Sequence, residues 1–428
     1  MKKILHYTLS ACIICCFYAC NSNNDIPKIE EIQPDEPIES TGDPEVIQPA
    51  EPIELTVLQG EKVDSDNCFA FKMFREVSAI SGSNTFFSPL SLNMALGMLY
   101  NGASGDTRDE MAKALGMADL TEAEINAYYQ KMSQALLEID PLTEIGIANS
   151  IWYREGYPVK HPFIDINQKY FDAMVRALDF NKPDAADTIN GWCAEKTNDR
   201  IKGIIVNPIP LNVMMYLMNA LYFKSKWQNP FDKALTVQED FTKADNQKIR
   251  VNMMAQTSFL PYYADQYLQC VEMPYGNGAF SMVAILPVGN MDIDRLIEYL
   301  DNDTWQQVIN RLNRWTVALK LPRFKVECEL PLNDPVKNTG MKLIFQGGLE
   351  NISDGPLHVS EIRQKTFVEV NEEGTEAAAV TTIVIITSDG GPPPPPVQFF
   401  ADRPFLYLIK EKSTGTILFI GRMDAPEE

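Results

Sequence analysis

The sequence predicts an α+β domain with one strand-like segment that stands outside its sheet. Residues 56 to about 200 repeat apolar side chains at helical spacing, whereas strand patterns dominate from about residue 213. Near the C-terminus, Val380 to Thr387 is a run of eight β-branched residues, the residue type that best suits a strand. Two glycines and five prolines follow within nine residues, so the run is not expected to continue as a central strand.

Periodicity places six helices in the first half of the domain and most strands in the second. Pro89 marks the clearest helix start, because proline suits the first helical position. The predicted helices are Asn67 to Ile80, one beginning at Ser88-Pro89, Thr107 to Leu115, Glu122 to Ile139, Phe163 to Met174 and Thr188 to Ile201. The predicted strands are Ile147 to Tyr153, Met214 to Phe223, Leu268 to Met273, Phe280 to Leu286, Trp315 to Lys325, Phe367 to Val370, Phe405 to Lys410 and Thr416 to Gly421.

The N-terminus has the pattern of a lipoprotein signal peptide. Two lysines precede an apolar run from Ile4 to Ala19, which is too short for a membrane-spanning helix. Residues 17–20, Phe-Tyr-Ala-Cys, resemble a bacterial lipobox in which Cys20 is lipidated. An ordinary secretory signal cleaved nearby is the alternative. Either pattern predicts export of the protein.

The residues after the signal predict an extended tether. Between residues 21 and 55 there are ten acids, one lysine and six prolines, a composition that cannot bury a core. We therefore expect a signal peptide at 1–19, an acidic proline-rich tether at 20–55 and a folded domain at 56–428. A lipid anchor on the membrane would then hold the domain at the bacterial cell envelope or outer membrane, with exposure on the outer surface left open.

Charge, histidine and cysteine content exclude several classes of function. The net charge of −21 argues against nucleic acid as a partner. Only two histidines lie outside the signal, which leaves little room for Ser–His or Cys–His catalysis, so no enzyme is expected. The remaining cysteines are scattered singly, so neither a metal nor another cofactor is expected. They are Cys68, Cys193, Cys270 and Cys328, expected as buried thiols, with disulfide pairing left open.

The segment around the β-branched run has one face suited to insertion into a sheet. Read with a period of two, that face carries Thr375, Ala377, Ala379 and Thr381, and it has no charge. Its first members are small enough to slide between packed strands, and Gly374 provides a backbone pivot. This pattern predicts a loop that can insert into a sheet. A hydrophobic edge strand or a low-complexity spacer is the alternative.

Several motifs in order show that the chain resembles the serpin family from about Cys68 to Asp424. The longest is Phe367 to Ala378, which matches the hinge signature of that family almost residue for residue. The other matching blocks are Phe87 to Ser91, Ile189 to Trp192 with Glu195 to Asn198, Asn219 to Lys224 with Trp227, Leu321 to Phe324, and Asp402 to Phe405. The resemblance implies a helical N-terminal half around a large mixed β-sheet, two further sheets and an exposed reactive loop.

The resemblance also implies an inhibitory mechanism. In inhibitory serpins a protease attacks a bait bond, and the loop then inserts into the large sheet with the protease covalently attached. By the family's usual count the bond falls at Ser388-Asp389, with Ile386 and Thr387 as alternatives. No Arg, Lys or aromatic residue occupies positions 385–388, so an elastase-like target is expected. Papain-like cysteine proteases, subtilisin-like proteases or a non-inhibitory binding role are the alternatives.

Two further groups of residues are implied by the resemblance. The hinge consists of Glu372, Gly374, Thr375, Ala377 and Ala379. The sheet-opening region consists of Ser88, Ser91, Asn219, Gln364, Trp227 and Arg323, where Gln364 stands in place of the family's histidine. A surface pair between Glu372 and Arg323 is expected to contribute under about 1 kcal/mol. The expected partner is a target protease bound to a monomer.

Overall fold

The computed structural model describes residues 48–375 and 394–427. The predicted signal, Cys20 and most of the tether lie outside the described residues and stay predictions. The last tether residues lie within them, and Ala50, Ile53 and Leu55 pack against the main core. The backbone N–H of Ile53 donates to Ser413 Oγ at 2.9 Å. The chain therefore packs against the domain from about residue 50, before the predicted domain boundary at residue 56.

The described residues contain nine α-helices, several of which begin at the caps that the sequence provides. Ser88 caps the second helix by accepting a hydrogen bond from the Ser91 backbone at 3.2 Å, and Pro89 follows as its first residue. The helices are α1 Val57–Ser81, α2 Pro89–Tyr100, α3 Gly105–Ala114, α4 Glu122–Glu138, α5 His161–Phe171, α6 Ala185–Lys196, α7 Ile293–Tyr299, α8 Asn302–Asn310 and α9 Asn333–Asn338. No helix of the described chain is long and apolar enough to cross a membrane.

Fifteen strands of the described residues form two sheets. The strands are β1 Thr85–Phe87, β2 Thr143–Arg154, β3 Met174–Leu178, β4 Met215–Lys226, β5 Val237–Thr242, β6 Lys248–Ala264, β7 Leu268–Pro274, β8 Phe280–Pro287, β9 Asn313–Pro322, β10 Phe324–Pro331, β11 Arg363–Asn371, β12 Gly374–Thr375, β13 Val397–Phe400, β14 Phe405–Glu411 and β15 Ile417–Met423. The six-stranded sheet has the order β10-β11-β12-β4-β2-β3. It is mixed, because β2 and β3 are parallel whereas the other pairs are antiparallel.

The second sheet has nine strands, in the order β1-β15-β14-β8-β7-β6-β9-β13 with β5 beside β6. The resemblance implied two further sheets besides the large one. These two are joined into a single sheet because the long strand β6 pairs with strands of both. Its first part pairs with β5 and β9, whereas its end, Tyr262–Ala264, pairs with β7. The predicted α+β fold is otherwise confirmed.

Two layers of packing hold the six-stranded sheet. On its inner side, α2 contacts both β4 and β15, so it lies between the two sheets. On its outer side, α6 packs on β2 and β4, with the rings of Trp192 and Trp152 in a T-shaped arrangement 6.5 Å apart. The sheet is thus covered on both faces near its centre.

The predicted elements that differ from the structure include one helix and one strand. The helix expected to reach Ile201 ends at Lys196, because Asn198 and Asp199 adopt positive φ angles of 49° and 61° that break a helix. The single strand expected from Trp315 to Lys325 is two strands, β9 and β10, in different sheets. Cys193, Cys270 and Cys328 are buried free thiols, whereas Cys68 is half-buried.

A buried ion pair within α1 is joined to α4 by a hydrogen bond from Tyr128. Lys62 is 1% exposed and pairs with Asp66, which also accepts a hydrogen bond from Tyr128 Oη at 2.7 Å. We expect Asp66→Ala to reduce the free energy of unfolding by about 3–5 kcal/mol, because it leaves the Lys62 ammonium buried without its carboxylate. Exposed Glu61→Ala on the same helix is the control. Equal losses in denaturant unfolding would contradict this role.

Candidate functional site at the gap between two strands

The two residues of β12 separate β4 from β11. Gly374 pairs with Lys226 and Asn371, and Thr375 pairs with Ser225 and Val370. Directly beyond Thr375 lies a pocket between the two strands, lined by Leu221–Phe223 on one side and Phe367–Glu369 on the other. Within the described residues, β4 and β11 are connected in the sheet only through β12. Gly374 and Thr375 therefore occupy a strand position between β4 and β11.

Thr375 points into the protein, as the alternation of the sequence predicts. The residue is 3% exposed, and its Oγ1 lies 2.8 Å from the hydroxyl of Tyr275. Burial raises the pKa of Tyr275, which keeps this hydroxyl protonated and able to donate. The Tyr275 ring in turn stacks on Trp227, with centroids 4.4 Å apart. The sequence did not reveal Tyr275, because a lone tyrosine in a turn after a strand carries no distinctive signal.

Gly374 is required by the close approach of two backbones. Its φ angle is 149°, and an added Cβ would lie 2.1 Å from the carbonyl oxygen of Ser225. No side chain fits there without moving β4. The predicted pivot is therefore also the point at which the chain enters the sheet.

The residues before Gly374 are held by the segment that follows β4. Trp227 Nε1 donates to the Asn371 carbonyl at 2.9 Å, and the backbone N–H of Trp227 donates to the Glu373 carbonyl at 2.9 Å. The backbone N–H of Phe231 donates to the Glu372 carbonyl at 2.8 Å. Residues 371–373, which we call the loop root, are thus fixed by backbone contacts that do not depend on their side chains.

The expected surface pair of Glu372 and Arg323 is in fact largely buried. The Glu372 side chain is 2% exposed and the Arg323 side chain 33%, with Nε 2.8 Å from both carboxylate oxygens. Thr236 Oγ1 donates to the same carboxylate at 2.5 Å. Burial acts to raise the pKa of Glu372, but hydrogen bonds from Arg323 and Thr236 outweigh it, so the pKa lies below its ordinary value. The expectation of an exposed pair was therefore wrong, because the Glu372 carboxylate is buried.

The four polar residues predicted under the sheet form two pairs. Gln364 binds the backbone of Ser88 twice, accepting from its N–H at 2.8 Å and donating to its carbonyl at 2.9 Å. Ser91 Oγ donates to the Asn219 carbonyl at 3.4 Å, and the Ser91 N–H donates to Ser88 Oγ at 3.2 Å. The predicted cluster therefore exists, but its two halves meet only through the N-terminus of α2.

Other predicted site residues lie outside the described residues. These are Ala377, Ala379, Ile386, Thr387, Ser388 and Asp389. The position of the reactive bond therefore stays a prediction.

The candidate site is thus a mixed sheet in which a two-residue strand stands between two long strands. The family model described as Serpin (serine protease inhibitor) matches residues 64–426. The chain therefore belongs to the serpin family. This is a family of protease inhibitors rather than catalysts, and its partners are target proteases.

Similar proteins come from distant organisms. Iripin-3 of Ixodes ricinus is 33% identical over 369 residues, which cover 84% of this chain and 93% of the tick protein. Human neuroserpin is 33% identical over 358 residues, which cover 80% of this chain and 86% of neuroserpin. An uncharacterized serpin-like protein of Methanosarcina acetivorans is 32% identical over 372 residues, which cover 85% of this chain and 87% of that protein.

Solved structures share the fold. Tengpin, a thermophilic serpin in its native state, superposes with a TM-score of 0.78 at 30% identity, covering 88% of this chain and 97% of tengpin. Protease nexin-1, solved with heparin, gives a TM-score of 0.76 at 25% identity, covering 86% of this chain and all of that one. Human thyroxine-binding globulin, solved with its ligand, gives 0.77 at 24% identity, covering 86% of this chain and all of that one.

The buried carboxylate of Glu372 should stabilise the protein more than its neighbour does. We expect Glu372→Gln to reduce the free energy of unfolding by about 1–3 kcal/mol, because a neutral amide binds Arg323 more weakly. Glu373→Gln is the matched control, since the Lys233 partner of Glu373 is 61% exposed. This control should reduce the free energy of unfolding by under about 1 kcal/mol. Denaturant unfolding of both variants measures this. A larger loss in the control would contradict the assignment.

The contribution of Glu372 should also depend on pH. A carboxylate whose folded-state pKa is lowered stabilises the fold above its unfolded-state pKa of about 4.3. This stabilisation is lost as the pH falls through the folded-state pKa. The difference in unfolding free energy between the wild type and Glu372→Gln should be constant near neutral pH and shrink below about pH 4. A difference that stays constant on acidification would contradict this.

Proposed function

We propose that the protein is a suicide-substrate inhibitor that traps a protease by inserting residues 374–388 into its six-stranded sheet. The observation that carries this proposal is that Gly374 and Thr375 already pair with both β4 and β11. The pocket beside Thr375 is lined by residues of both β4 and β11, which would flank an inserted strand.

The register of β12 supports insertion of the residues that follow. If the antiparallel pairing of Thr375 with Ser225 and Val370 continues, inserted residues up to position 382 have a defined neighbour on both β4 and β11, and those up to position 385 have one on β4. The two alanines of the inward face then lie beside larger side chains, so small residues are required there. The inward neighbours are Phe223 and Val368 for Ala377, and Leu221 and Thr366 for Ala379.

An inserted strand would be favoured by backbone pairing. Its backbone would form hydrogen bonds with both β4 and β11. Its apolar side chains would also be buried, because both faces of a central strand are covered by other layers. In this register the first residue of β4 lies opposite position 385, and the proposed bait bond at Ser388-Asp389 follows three residues later. A protease attached as an acyl-enzyme to this end would be carried along the sheet.

The proposed target is an elastase-like serine protease. Positions 385–388 are Ile, Ile, Thr and Ser, and such side chains suit shallow specificity pockets. Papain-like and subtilisin-like proteases are the second choice. We further propose that Cys20 carries a lipid, so that the inhibitor acts at the bacterial envelope from the end of its acidic tether.

Incubation with elastase and a panel of other proteases tests the proposal. The expected result is a covalent complex that survives denaturation in SDS, and mass spectrometry of the C-terminal peptide identifies the cleaved bond. Cleavage without any such complex would contradict inhibition and favour a non-inhibitory binding protein. Complete resistance to every protease would contradict the bait segment itself.

Substitution of Thr375 separates insertion from cleavage. We expect Thr375→Arg to be cleaved like the wild type but to form less than about a tenth of the covalent complex, because a guanidinium would enter a buried position beside Tyr275. Thr375→Val is the control, since it keeps a small uncharged side chain. The yield of SDS-stable complex is measured for each. Wild-type yield from the arginine variant would contradict insertion.

A further inference from the structure

The chain between α6 and β4 contains a loop that exposes two large apolar side chains. In this loop, residues 203–213, Leu211 is 79% exposed and Val206 is 62% exposed. The sequence from 203 to 223 contains no charged residue. One exposed apolar side chain is ordinary on a protein surface, whereas two on an uncharged loop are typical of contact with an apolar partner. We call residues 203–213 the apolar loop.

The first half of the apolar loop is fixed to α6 and to the residues before it. The backbone N–H of Ile205 donates to Asn190 Oδ1, and Asn190 Nδ2 donates to the Ile205 carbonyl, both at 2.8 Å. Asn207 Nδ2 donates to the Pro183 carbonyl at 2.6 Å. Val206 lies between these two attachments, so its exposure is imposed by the backbone that carries it.

The second half of the apolar loop is fixed to β2. Arg154 donates from Nε to the Val213 carbonyl and from Nη2 to the Pro210 carbonyl, each at 3.1 Å. Ile209 is only 5% exposed and belongs to the smaller of the two apolar cores, which includes residues of α6. Leu211 lies between Pro210 and Val213, on backbone that is held on both sides. The two exposed side chains thus stand on a rigid support.

The chain around the apolar loop carries no net charge. Residues 174–223 contain five Lys and Arg and five Asp and Glu, whereas the whole chain carries a net charge of −21. A membrane surface with anionic lipids repels an acidic protein, and the repulsion is weak where bases balance the acids. Charge therefore does not oppose contact between this part of the domain and a lipid surface.

The length of the chain before residue 48 lets any face of the domain reach a membrane that holds Cys20. The 28 residues 20–47 span at most about 95 Å when fully extended. A domain of this size is roughly 55 Å across. Because the predicted tether is longer than the domain is wide, surface chemistry decides which face meets the lipid. Anchoring also keeps the lipid at a high effective concentration, so that a small apolar contact is sufficient.

We propose that the apolar loop is a membrane-contact site, at which Val206 and Leu211 enter the interfacial layer of the membrane that holds the lipid anchor. The two side chains would leave water at the depth of the lipid headgroups, while the backbone of the loop stays on its support. The identity of this partner rests on the proposed lipidation of Cys20, whereas the exposure of the loop does not. The contact would orient the domain on the membrane in addition to tethering it.

The experiment anchors the protein in a way that does not depend on its natural lipid. The chain 20–428 with Cys20→Ser and an N-terminal histidine tag is held on vesicles of phosphatidylethanolamine, phosphatidylglycerol and a nickel-chelating lipid. Leu211→Trp places a fluorescent ring on the apolar loop, and quenching by phospholipids brominated on their acyl chains reports its entry into the membrane. Phe259→Trp is the matched control, because Phe259 is 56% exposed but lies on the nine-stranded sheet beside the Arg314 guanidinium.

We expect the brominated lipid to remove at least about half of the fluorescence that Leu211→Trp adds over the parent protein, and almost none of that added by Phe259→Trp. Adding Val206→Asp to Leu211→Trp should restore the fluorescence, because a carboxylate opposes entry of the loop into lipid. Equal quenching of the two tryptophan variants, or no quenching of Leu211→Trp, would overturn the membrane-contact site.

Two further measurements separate the alternatives. If gel filtration shows a dimer that Leu211→Asp converts to a monomer, the apolar loop is an interface between copies of the chain, and the membrane-contact site is overturned. Mass spectrometry of the N-terminal peptide from native cells tests the lipid on Cys20 independently. A missing lipid together with quenching of Leu211→Trp would overturn the proposed anchor and leave the contact site standing.

Discussion

The pairing of two residues between β4 and β11 is the constraint on which the rest of this structure depends. Backbone N–H and C=O groups along a strand edge require partners, and among the described residues Gly374 and Thr375 provide them at one end of the gap. Everything around that end acts to keep the two residues in place: a glycine that alone fits against Ser225, a buried hydroxyl pair with Tyr275, and a loop root bound through its backbone. These contacts all lie within one small region of the sheet.

The proposed insertion would require movement in this region, and the chemistry of its contacts is suited to that. The hydrogen bonds at the loop root come from the segment after β4 and do not cross the part of the gap beyond Thr375. Farther along, Gln364 binds α2 while Asn219 binds Asn149 of β2, so each edge of the gap is fixed to its own support. An opening between these edges breaks no direct side-chain bond between Asn219 and Gln364. A histidine in place of Gln364 would add a titratable group to this part of the sheet.

The sequence predicted the α+β class, most helices and the inward face of the hinge, because amphipathic periodicity and small residues are local signals. It did not predict the joining of two sheets through β6, since the seventeen residues of that strand change partners along their length and their burial pattern changes with them. Motif matching found Glu372 and Arg323 but not their burial, which depends on Thr236 and on the turn around Phe231. Tyr275 was missed because its role comes from its contacts with Trp227 and Thr375, which are distant in sequence.

The burial of the last two long strands has a practical consequence for any study of cleavage. Every residue of β14 and β15 is buried, and these strands lie between β1 and β8 inside the nine-stranded sheet. A chain cut near Ser388 would therefore remain a single particle, with its C-terminal fragment held like a non-covalent subunit. Gel filtration would show no change in size, and separation of the two pieces would require denaturation. Cleavage would also leave β13 fixed beside β9. Of the two new chain ends, the one attached to the hinge would then be the one that can move away.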